Sequence, residues 1–402
     1  MVKDAVDKLL DDAISGRSLF KDREVLQFTY IPKNILHRDD EQKKVMQSLL
    51  PLAKKSRPSN LLVYGKTGTG KTLVVRKMLQ KIQGRPELQS FPLKVAYSNA
   101  KEETTLYGLL VSFGKQLGLT SRKELPPTGL SISAVFNKII DTIKKNSFKT
   151  IFVIDEIDYL VKLVSKTDKD VFYLLTRANE RLGEGSLTII GISNDLTFKE
   201  RLDPRVLSSL SEEEIVFTNY TGDQIKEILM ERIKDAFTEG VIEQGSIELC
   251  ARMAGQEHGD ARRAIDLLRV AGEIAERENS EKVTQDHIRK ASSKMEEDKE
   301  TAALNSYPLH EKLLILSVMK SNGAGTGEIY HYYKNLCKTV GQKELTQRRV
   351  TQILSEIEMT GLISGKIIHQ GMHGRTKKYT LTIHPETVKK VLRESAILED
   401  II

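Results

Sequence analysis

The 402-residue sequence predicts an α/β domain built on a parallel sheet, followed by an all-helical segment and a C-terminal winged helix-turn-helix. Three observations predict this fold class. Apolar β-rich runs alternate with helical stretches in the first half, the pattern is purely helical from Tyr220 to about Lys290, and three short helices precede a hairpin pattern at the end. Two or three domains are expected at this length.

The predicted sheet rests on four apolar runs that helical stretches separate. Such spacing favours parallel strands with helices on both faces of the sheet. The runs are "LLVYG" (61–65), "LKVAYSN" (93–99), "TIFVIDE" (150–156) and "LTIIGISN" (187–194). The helices expected in the all-helical segment are 222–237, 245–254, 259–277 and 284–293.

Composition shifts along the chain predict the domain boundaries. The polar N-terminus is expected to be a mobile arm in which Phe20, Leu26 and Phe28 are candidate anchors. The charged stretch "SSKMEEDKETAALNS" (292–306) is poor in apolar residues, which indicates a hinge or linker. The predicted parts are an arm (1–30), an α/β base (31–218), a helical lid (219–298), a linker (299–306) and the winged helix (307–402).

Bulk composition is that of an ordinary globular protein, with 39% hydrophobic and 29% charged residues. No apolar run approaches the roughly 20 residues needed to span a membrane, and the N-terminus lacks the apolar core of a signal peptide. Cys250 and Cys337 have no metal-ligand spacing and are too few for a disulfide framework. We expect a reducing, cytoplasmic setting and no membrane partner.

The net charge of +7 is concentrated at one end of the chain. From Asn305 onward, fourteen Lys and Arg face nine Asp and Glu, so this segment holds +5 and the remainder only +2. Basicity in one terminal segment favours a polyanionic partner for that segment. A lysine-rich solvated surface is the alternative.

The stretch "GKTGTGKT" follows the first predicted strand and begins a helix. It matches the phosphate-binding loop G-x-x-x-x-G-K-[ST], whose glycines let backbone N–H groups face nucleotide phosphates. We expect ATP or ADP as the nucleotide, with Lys71 reaching the β- and γ-phosphates and the Thr72 hydroxyl binding Mg²⁺. A chance glycine turn is the alternative, which this context disfavours. The loop residues are Gly65, Lys66, Thr67, Gly68, Thr69, Gly70, Lys71 and Thr72.

In the stretch "IFVIDEID" (151–158), carboxylates follow four apolar residues that are expected to form a buried strand. They lie at the edge where open α/β sheets bind ligands. Asp155 is expected to hold Mg²⁺, directly or through water, and Glu156 to polarise the attacking water as a general base. Asp158 is interpreted as a surface carboxylate. Asn194 ends the next strand, so it lies beside Glu156 if the two strands are neighbours, where it would position the water or sense the γ-phosphate. A turn asparagine is the alternative.

An arginine interrupts the apolar stripe of the predicted helix 222–237. Arg232 falls in the middle of that stripe, and a buried guanidinium needs an anion or several acceptors. Tyr220, just before this helix, is a candidate for stacking on a purine base. A structural pair between Arg232 and a local carboxylate is the alternative. The stripe consists of Ile225, Ile228, Leu229 and Ala236.

The order of these motifs resembles that of the AAA+ ATPases. The stretch "LDPRVLSSL" (202–210) falls where that family keeps its arginine finger, which one subunit offers to its neighbour's γ-phosphate; Arg205 matches best and Arg201 second. Without the resemblance, an arginine in a polar loop is usually solvated. "GDARRAID" resembles the sensor-2 motif, in which Arg262 is the better candidate for the γ-phosphate and Arg263 a surface residue.

The last part of the chain predicts a winged helix. Helices are expected at 309–321, 327–340 and 346–361, and a hairpin follows with strands at 362–370 and 379–383. The third helix of such a unit lies in the DNA major groove. Wound as a helix, "LTQRRVTQIL" turns Arg348 and Gln352 away from its apolar stripe, towards DNA, and leaves Arg349 at the flank for a phosphate.

Cations in the predicted hairpin turn suit phosphates or a minor groove. Arg375, Lys377 and Lys378 are expected at the tip of this wing. A protein-docking winged helix, or a basic tip that serves only solubility, is the alternative.

The whole chain resembles the archaeal origin-recognition and cell-division-cycle initiators. The resemblance rests on the order of the motifs and on the stretches "YIPKNILHRDDE" (30–41) and "GDARRAIDLLRVAGEIAE" (259–276). The resemblance implies binding to double-stranded origin DNA, weak regulatory ATP hydrolysis, recruitment of an MCM-type replicative helicase, and self-association or pairing with a paralogous initiator in the nucleoid. It also implies a DNA contact from the ATPase insertion at about 104–133, with Arg122 and Lys123 at its edge.

Two rival functions share these motifs. One is a signalling ATPase whose winged helix docks proteins, which salt-insensitive binding to duplex, or no binding, would favour. The other is a clamp-loader or transposition-helper motor, with sustained DNA-stimulated turnover and stable rings.

Overall fold

The computed structural model divides the chain into two compact units, Met1–Ile288 and Arg289–Ile402. The residues that the structure describes are 18–89, 92–103, 105–121, 125–126, 128–160, 174–202, 204, 212–256, 259–321, 323–369, 375–394 and 397–398.

A five-stranded parallel sheet forms the base of the first unit, with the strand order β2-β3-β4-β1-β5. All four predicted strands are confirmed. The fifth, which lies at the sheet edge, was not predicted because it begins with three glutamates. The strands are β1 Asn60–Gly65, β2 Leu93–Asn99, β3 Lys149–Asp155, β4 Ser186–Ser193 and β5 Glu212–Phe217.

Helices cover both faces of this sheet, as predicted. Along β3, Phe152 and Ile154 belong to one buried apolar cluster, whereas Ile151 and Val153 belong to a second one. Successive side chains of a strand point to opposite faces, so the two clusters lie on opposite sides of the sheet. The helices of the base are α1 Asp39–Leu49, α2 Lys71–Gln83, α3 Pro86–Gln89, α4 Leu106–Gln116 and α5 Ile132–Lys145.

The helical segment after β5 contains the four expected helices. The first begins with a capping box, in which Thr221 and Gln224 each satisfy the other's backbone N–H. The helices are α6 Gly222–Ala236, α7 Ser246–Gln256, α8 Ala261–Arg277 and α9 Gln285–Ser306. The last of them continues through the stretch predicted as a hinge or linker, which is therefore helical, and Leu304 near its end is buried in the core of the second unit.

The N-terminal segment packs against the helical segment from Ser18 onward, which corrects the expectation of a mobile arm up to residue 30. The Phe20 ring lies 4.6 Å from that of Phe237, and Leu26 is buried. Phe28 is 78% exposed, so it is not an anchor. The first seventeen residues lie outside the described part of the chain.

The second unit is a three-helix and hairpin fold, as predicted, with one further helix at its end. Val350, Ile353, Leu354 and Ile357 of the third helix are buried, so the predicted apolar stripe is confirmed. The elements are α10 Leu309–Ser321, α11 Thr326–Thr339, α12 Gln347–Met359, β6 Ile363–His369, β7 Arg375–Leu381 and α13 Pro385–Arg393. Within the described ranges, no helix has the length and apolar character needed to cross a bilayer.

Candidate functional site

The phosphate-binding loop connects β1 to α2. The Lys71 ammonium donates hydrogen bonds to the carbonyls of Gly65 at 2.8 Å and Lys66 at 2.7 Å, and to Asn194 Oδ1 at 2.8 Å. Three acceptors therefore fix the cation at the N-terminus of a helix, the end that attracts anions. Asn194 reaches it because β4, which it follows, pairs with β1, the strand that leads into the loop. The expected pairing of β3 with β4 is also present.

Asp155 lies at the end of β3 and is held by three donors. Its Oδ2 accepts from the Thr72 hydroxyl at 2.8 Å and the Tyr97 hydroxyl at 2.6 Å, and its Oδ1 accepts from the Glu156 N–H at 3.0 Å. Burial and the neighbouring Asp155 raise the pKa of Tyr97, so the phenol stays a donor. Glu156 has φ +52°, a left-handed backbone conformation that is uncommon for a non-glycine residue.

The surroundings of Lys71 determine the pKa of its ammonium group. Burial is the main cause that lowers the pKa of Lys71 to about 8, and the charge of Arg262 lowers it further. The carboxylates of Asp155, Asp260 and Asp158 act in the opposite direction. Asp158, which the sequence suggested was only a surface residue, also accepts from the Ser193 hydroxyl at 2.9 Å and so joins the ends of β3 and β4.

A cavity of about 750 Å³ opens beside this loop, large enough for a nucleotide. Arg232 and Tyr220 border it, and both are buried. Arg232 donates to the Val25 carbonyl at 3.3 Å and lies 4.6 Å from the centroid of the Tyr30 ring. Among the described residues it forms no carboxylate ion pair, which disfavours the alternative of a structural salt bridge.

Arg38 is a buried residue of the site that the sequence did not single out. Its guanidinium donates to the Thr69 carbonyl of the loop at 2.9 Å, to the Thr218 carbonyl between β5 and α6 at 2.5 Å, and to Glu41 at 3.2 Å. It also stacks 3.9 Å from the centroid of the Tyr220 ring. Arg38 thus joins the loop to the start of the helical segment and covers one face of Tyr220.

Two glycines of the loop leave room for side chains of the helical segment. A Cβ at Gly68 would lie 1.8 Å from a carboxylate oxygen of Asp260, and a Cβ at Gly70 would lie 3.0 Å from the Tyr220 hydroxyl. Asp260 also caps α8 by accepting from the Arg263 N–H at 3.1 Å. The helical segment therefore contacts the phosphate-binding loop directly.

The two sensor-2 candidates differ in position. Arg262 is exposed and borders the cavity, whereas Arg263 does not border it. Arg205 lies outside the described residues, and so does the side chain of Arg201.

On α12 of the second unit, the predicted DNA-facing residues are exposed. Arg348 has no ion-pair partner among the described residues. Arg349 lies 3.6 Å from Glu356, and the Gln352 amide donates to the same carboxylate at 2.8 Å. One acidic side chain therefore restrains two of the three candidates.

Lys377 and Lys378 lie within β7 and not at the tip of the hairpin, whereas Arg375 lies at the end of the ribbon next to the turn. Arg375 begins β7, and Lys377 and Lys378 pair across the ribbon with Ile367 and Lys366. The prediction of a tip position was wrong for the two lysines because the strand begins earlier than its apolar pattern suggested. Arg122 and Lys123 of the insertion lie outside the described residues.

Family models match most of the chain. An AAA domain matches residues 54–198, a Cdc6 AAA+ ATPase-type lid domain 226–293, and the C-terminal winged helix domain of CDC6 302–391. An ORC1-type DNA replication protein of Cenarchaeum symbiosum is 63% identical over 400 residues, which cover 100% of this chain and 97% of the relative. The chain belongs to the ORC1-type DNA replication proteins. Another member, from Thermococcus onnurineus, is 41% identical over 99% of this chain and 96% of its own length.

Solved structures agree with this assignment. The Aeropyrum pernix ORC1 protein in complex with DNA has a TM-score of 0.84 and 37% identity, covering 95% of this chain and 99% of that one. Cdc6p from Pyrobaculum aerophilum, at 20% identity and a TM-score of 0.59, covers 94% and 99% and shares the fold. The ORC1-type family is one of replication initiators built on an AAA+ ATPase, so the predicted resemblance and fold class are confirmed.

Proposed function

We propose that this ORC1-type protein is an ATP-regulated initiator that binds duplex origin DNA and helps to recruit an MCM-type replicative helicase in the nucleoid. The observation that carries the DNA role is the outward face of α12, where Arg348 and Gln352 are exposed opposite the buried stripe. The DNA complex of the Aeropyrum pernix relative supports it. A second copy or a paralogous initiator would share the origin, and Arg205 would reach its partner's nucleotide.

The nucleotide part of the proposal assigns ATP or ADP with Mg²⁺ to the cavity. Hydroxyl and carboxylate oxygens are the ligands that Mg²⁺ prefers, and Thr72 and Asp155 bring them within 2.8 Å of each other. Mg²⁺ would neutralise phosphate charge. The loop would hold the phosphates, Arg262 would meet the γ-phosphate, and Tyr220 and Arg232 would border the base. Slow hydrolysis would reset the initiator.

Nucleotide affinity should fall as pH rises, because only the charged form of Lys71 attracts phosphates. With the pKa of Lys71 at about 8, most molecules carry the cation at pH 7 and few at pH 9. We expect ATP to bind about tenfold more weakly at pH 9 than at pH 7. Calorimetric titration at both values measures this. Lys71→Arg stays charged throughout, so its affinity should be constant; a constant affinity in the native chain would contradict the assignment.

Origin binding should depend on the basic residues of the winged helix. Arg348→Ala combined with Arg375→Ala should remove the footprint on a fragment selected from the source genome by binding, because each lost contact weakens binding by about 1–3 kcal/mol. The affinity for ATP should not change, since neither residue is among those that line the cavity.

Arg393→Ala, on α13 of the same unit, is the matched control and should keep the footprint. The DNA role fails if protection persists in the double variant. Binding to duplex that does not weaken with salt would favour the protein-docking alternative.

A further inference from the structure

The wing ribbon of β6 and β7 is held near its middle by two sets of contacts. On one side the Tyr379 N–H donates to the Ala324 carbonyl at 3.1 Å, and Gly325 forms a bridge with Lys378. On the other side Lys377 turns back from β7 and forms an ion pair with Glu358 of α12. The Lys377 ammonium thus has a partner within the protein, so it is less available to contact a DNA phosphate.

A glycine of β6 makes this ion pair sterically feasible. A Cβ at Gly365 would lie 2.4 Å from Lys377 Cε and 2.8 Å from Glu358 Oε1. It would also lie 3.0 Å from the ring of Tyr379, its partner in the ribbon. A glycine inside a strand often marks such a close approach. A side chain at this position would require the Lys377 and Glu358 side chains to move from their present places.

Two carboxylates of α12, two residues apart, therefore have different partners. Glu356 is bonded to Gln352 and Arg349, on the face that we assign to DNA. Glu358 is bonded to the wing. Both are partly exposed, so both can be changed to glutamine with little effect on the fold.

We propose that Glu358 is a positioning residue for DNA binding: through Lys377 it sets the angle of the wing ribbon relative to α12. The inference rests on the proposed DNA-binding function and deepens it. DNA that meets α12 in one groove meets the wing in the neighbouring groove or backbone, so both must be presented at a fixed angle. Glu358 itself touches no DNA in this arrangement.

Two matched substitutions separate a positioning role from a purely electrostatic one by the direction in which each changes the affinity for DNA. Glu356→Gln and Glu358→Gln each remove one negative charge near a polyanion, and electrostatics alone predicts tighter binding for both. A positioning role for Glu358 predicts that the two substitutions change the affinity for DNA in opposite directions. Glu356→Gln should tighten binding about threefold, because it also releases Arg349 and Gln352. Glu358→Gln should weaken binding about tenfold, because the wing loses its fixed orientation.

The experiment uses the full chain and a duplex fragment selected by binding. Affinity, hydroxyl-radical footprints and hydrogen exchange of β6 and β7 are measured for both variants. For Glu358→Gln we expect faster exchange in the ribbon and loss of the part of the footprint that the wing protects, while the part at α12 stays. Glu356→Gln should leave exchange unchanged. Gly365→Ala keeps both charges and should reproduce the Glu358→Gln result.

Tighter binding by Glu358→Gln with unchanged ribbon exchange would overturn the proposal. If the native chain bound no duplex, the proposed function would fail, whereas faster ribbon exchange in Glu358→Gln would still establish the contact with the wing. The two failures are therefore distinguishable.

Discussion

Replacing Glu156 with glutamine should slow ATP hydrolysis by about a hundredfold or more while ATP still binds. Glu156 directly follows Asp155, borders the cavity and has a left-handed backbone conformation. Glutamine has the same shape and can still orient a water molecule, but its amide cannot accept a proton. Single-turnover hydrolysis and ATP affinity, measured on the same preparation, test this expectation.

Glu102→Gln is the matched control for this substitution. Glu102 also borders the cavity, but it follows β2 and is exposed. Its turnover should stay close to that of the native chain. Native-like turnover in Glu156→Gln would remove Glu156 from the chemistry, and a loss of ATP affinity would make it a binding residue instead.

The Arg38→Ala substitution should lower the free energy of unfolding of the first unit by about 3 kcal/mol. Arg38 is 3% exposed, and its removal leaves the Thr69 and Thr218 carbonyls without their donor and Glu41 without its cation. The bond to Thr69 is buried, so water cannot replace its donor and this loss is the costly one, whereas the bonds to Thr218 and Glu41 are partly buried and contribute less. Hydrogen exchange of β1 and β4 amides against urea concentration measures the effect in this unit.

The control for Arg38 is Arg23→Ala. Arg23 also pairs with a glutamate, Glu276, but its side chain is 55% exposed, so its loss should cost less than about 1 kcal/mol. Arg38→Ala should also weaken ATP binding, since Thr69 belongs to the phosphate-binding loop. Equal stability losses in the two variants would show that burial of Arg38 contributes nothing.

The parts of the site that the sequence predicted are those whose residues are close together in the chain or follow a recognisable strand. Lys71 and Thr72 belong to one octapeptide, and Asp155 and Asn194 each end an apolar run. Their proximity follows from parallel strand pairing alone. Arg38 and Tyr97 were not predicted as site residues, although both lie in stretches that the sequence analysis quoted, because they reach the site only through tertiary packing.

The fold was predicted where hydrophobic periodicity is strong and missed where charge conceals it. β5 begins with three glutamates at a sheet edge, where charged side chains are common. The charged stretch read as a linker is helical up to Ser306. In the wing, the strand register decides whether a lysine faces solvent or α12. Gly365 pairs with Tyr379 and has no side chain, which leaves space for Lys377 to reach α12.

The contacts at Gly68 and Gly70 bear on how this loop can be reused in protein engineering. The octapeptide can be grafted onto another strand–helix junction, where its curvature would be retained. The graft would lack the carboxylate and the phenol that occupy the space beside these glycines here. A synthetic ATP binder made in this way would hold phosphates without transmitting their presence to a second domain, so the transplanted cassette must include the residues equivalent to Asp260 and Tyr220.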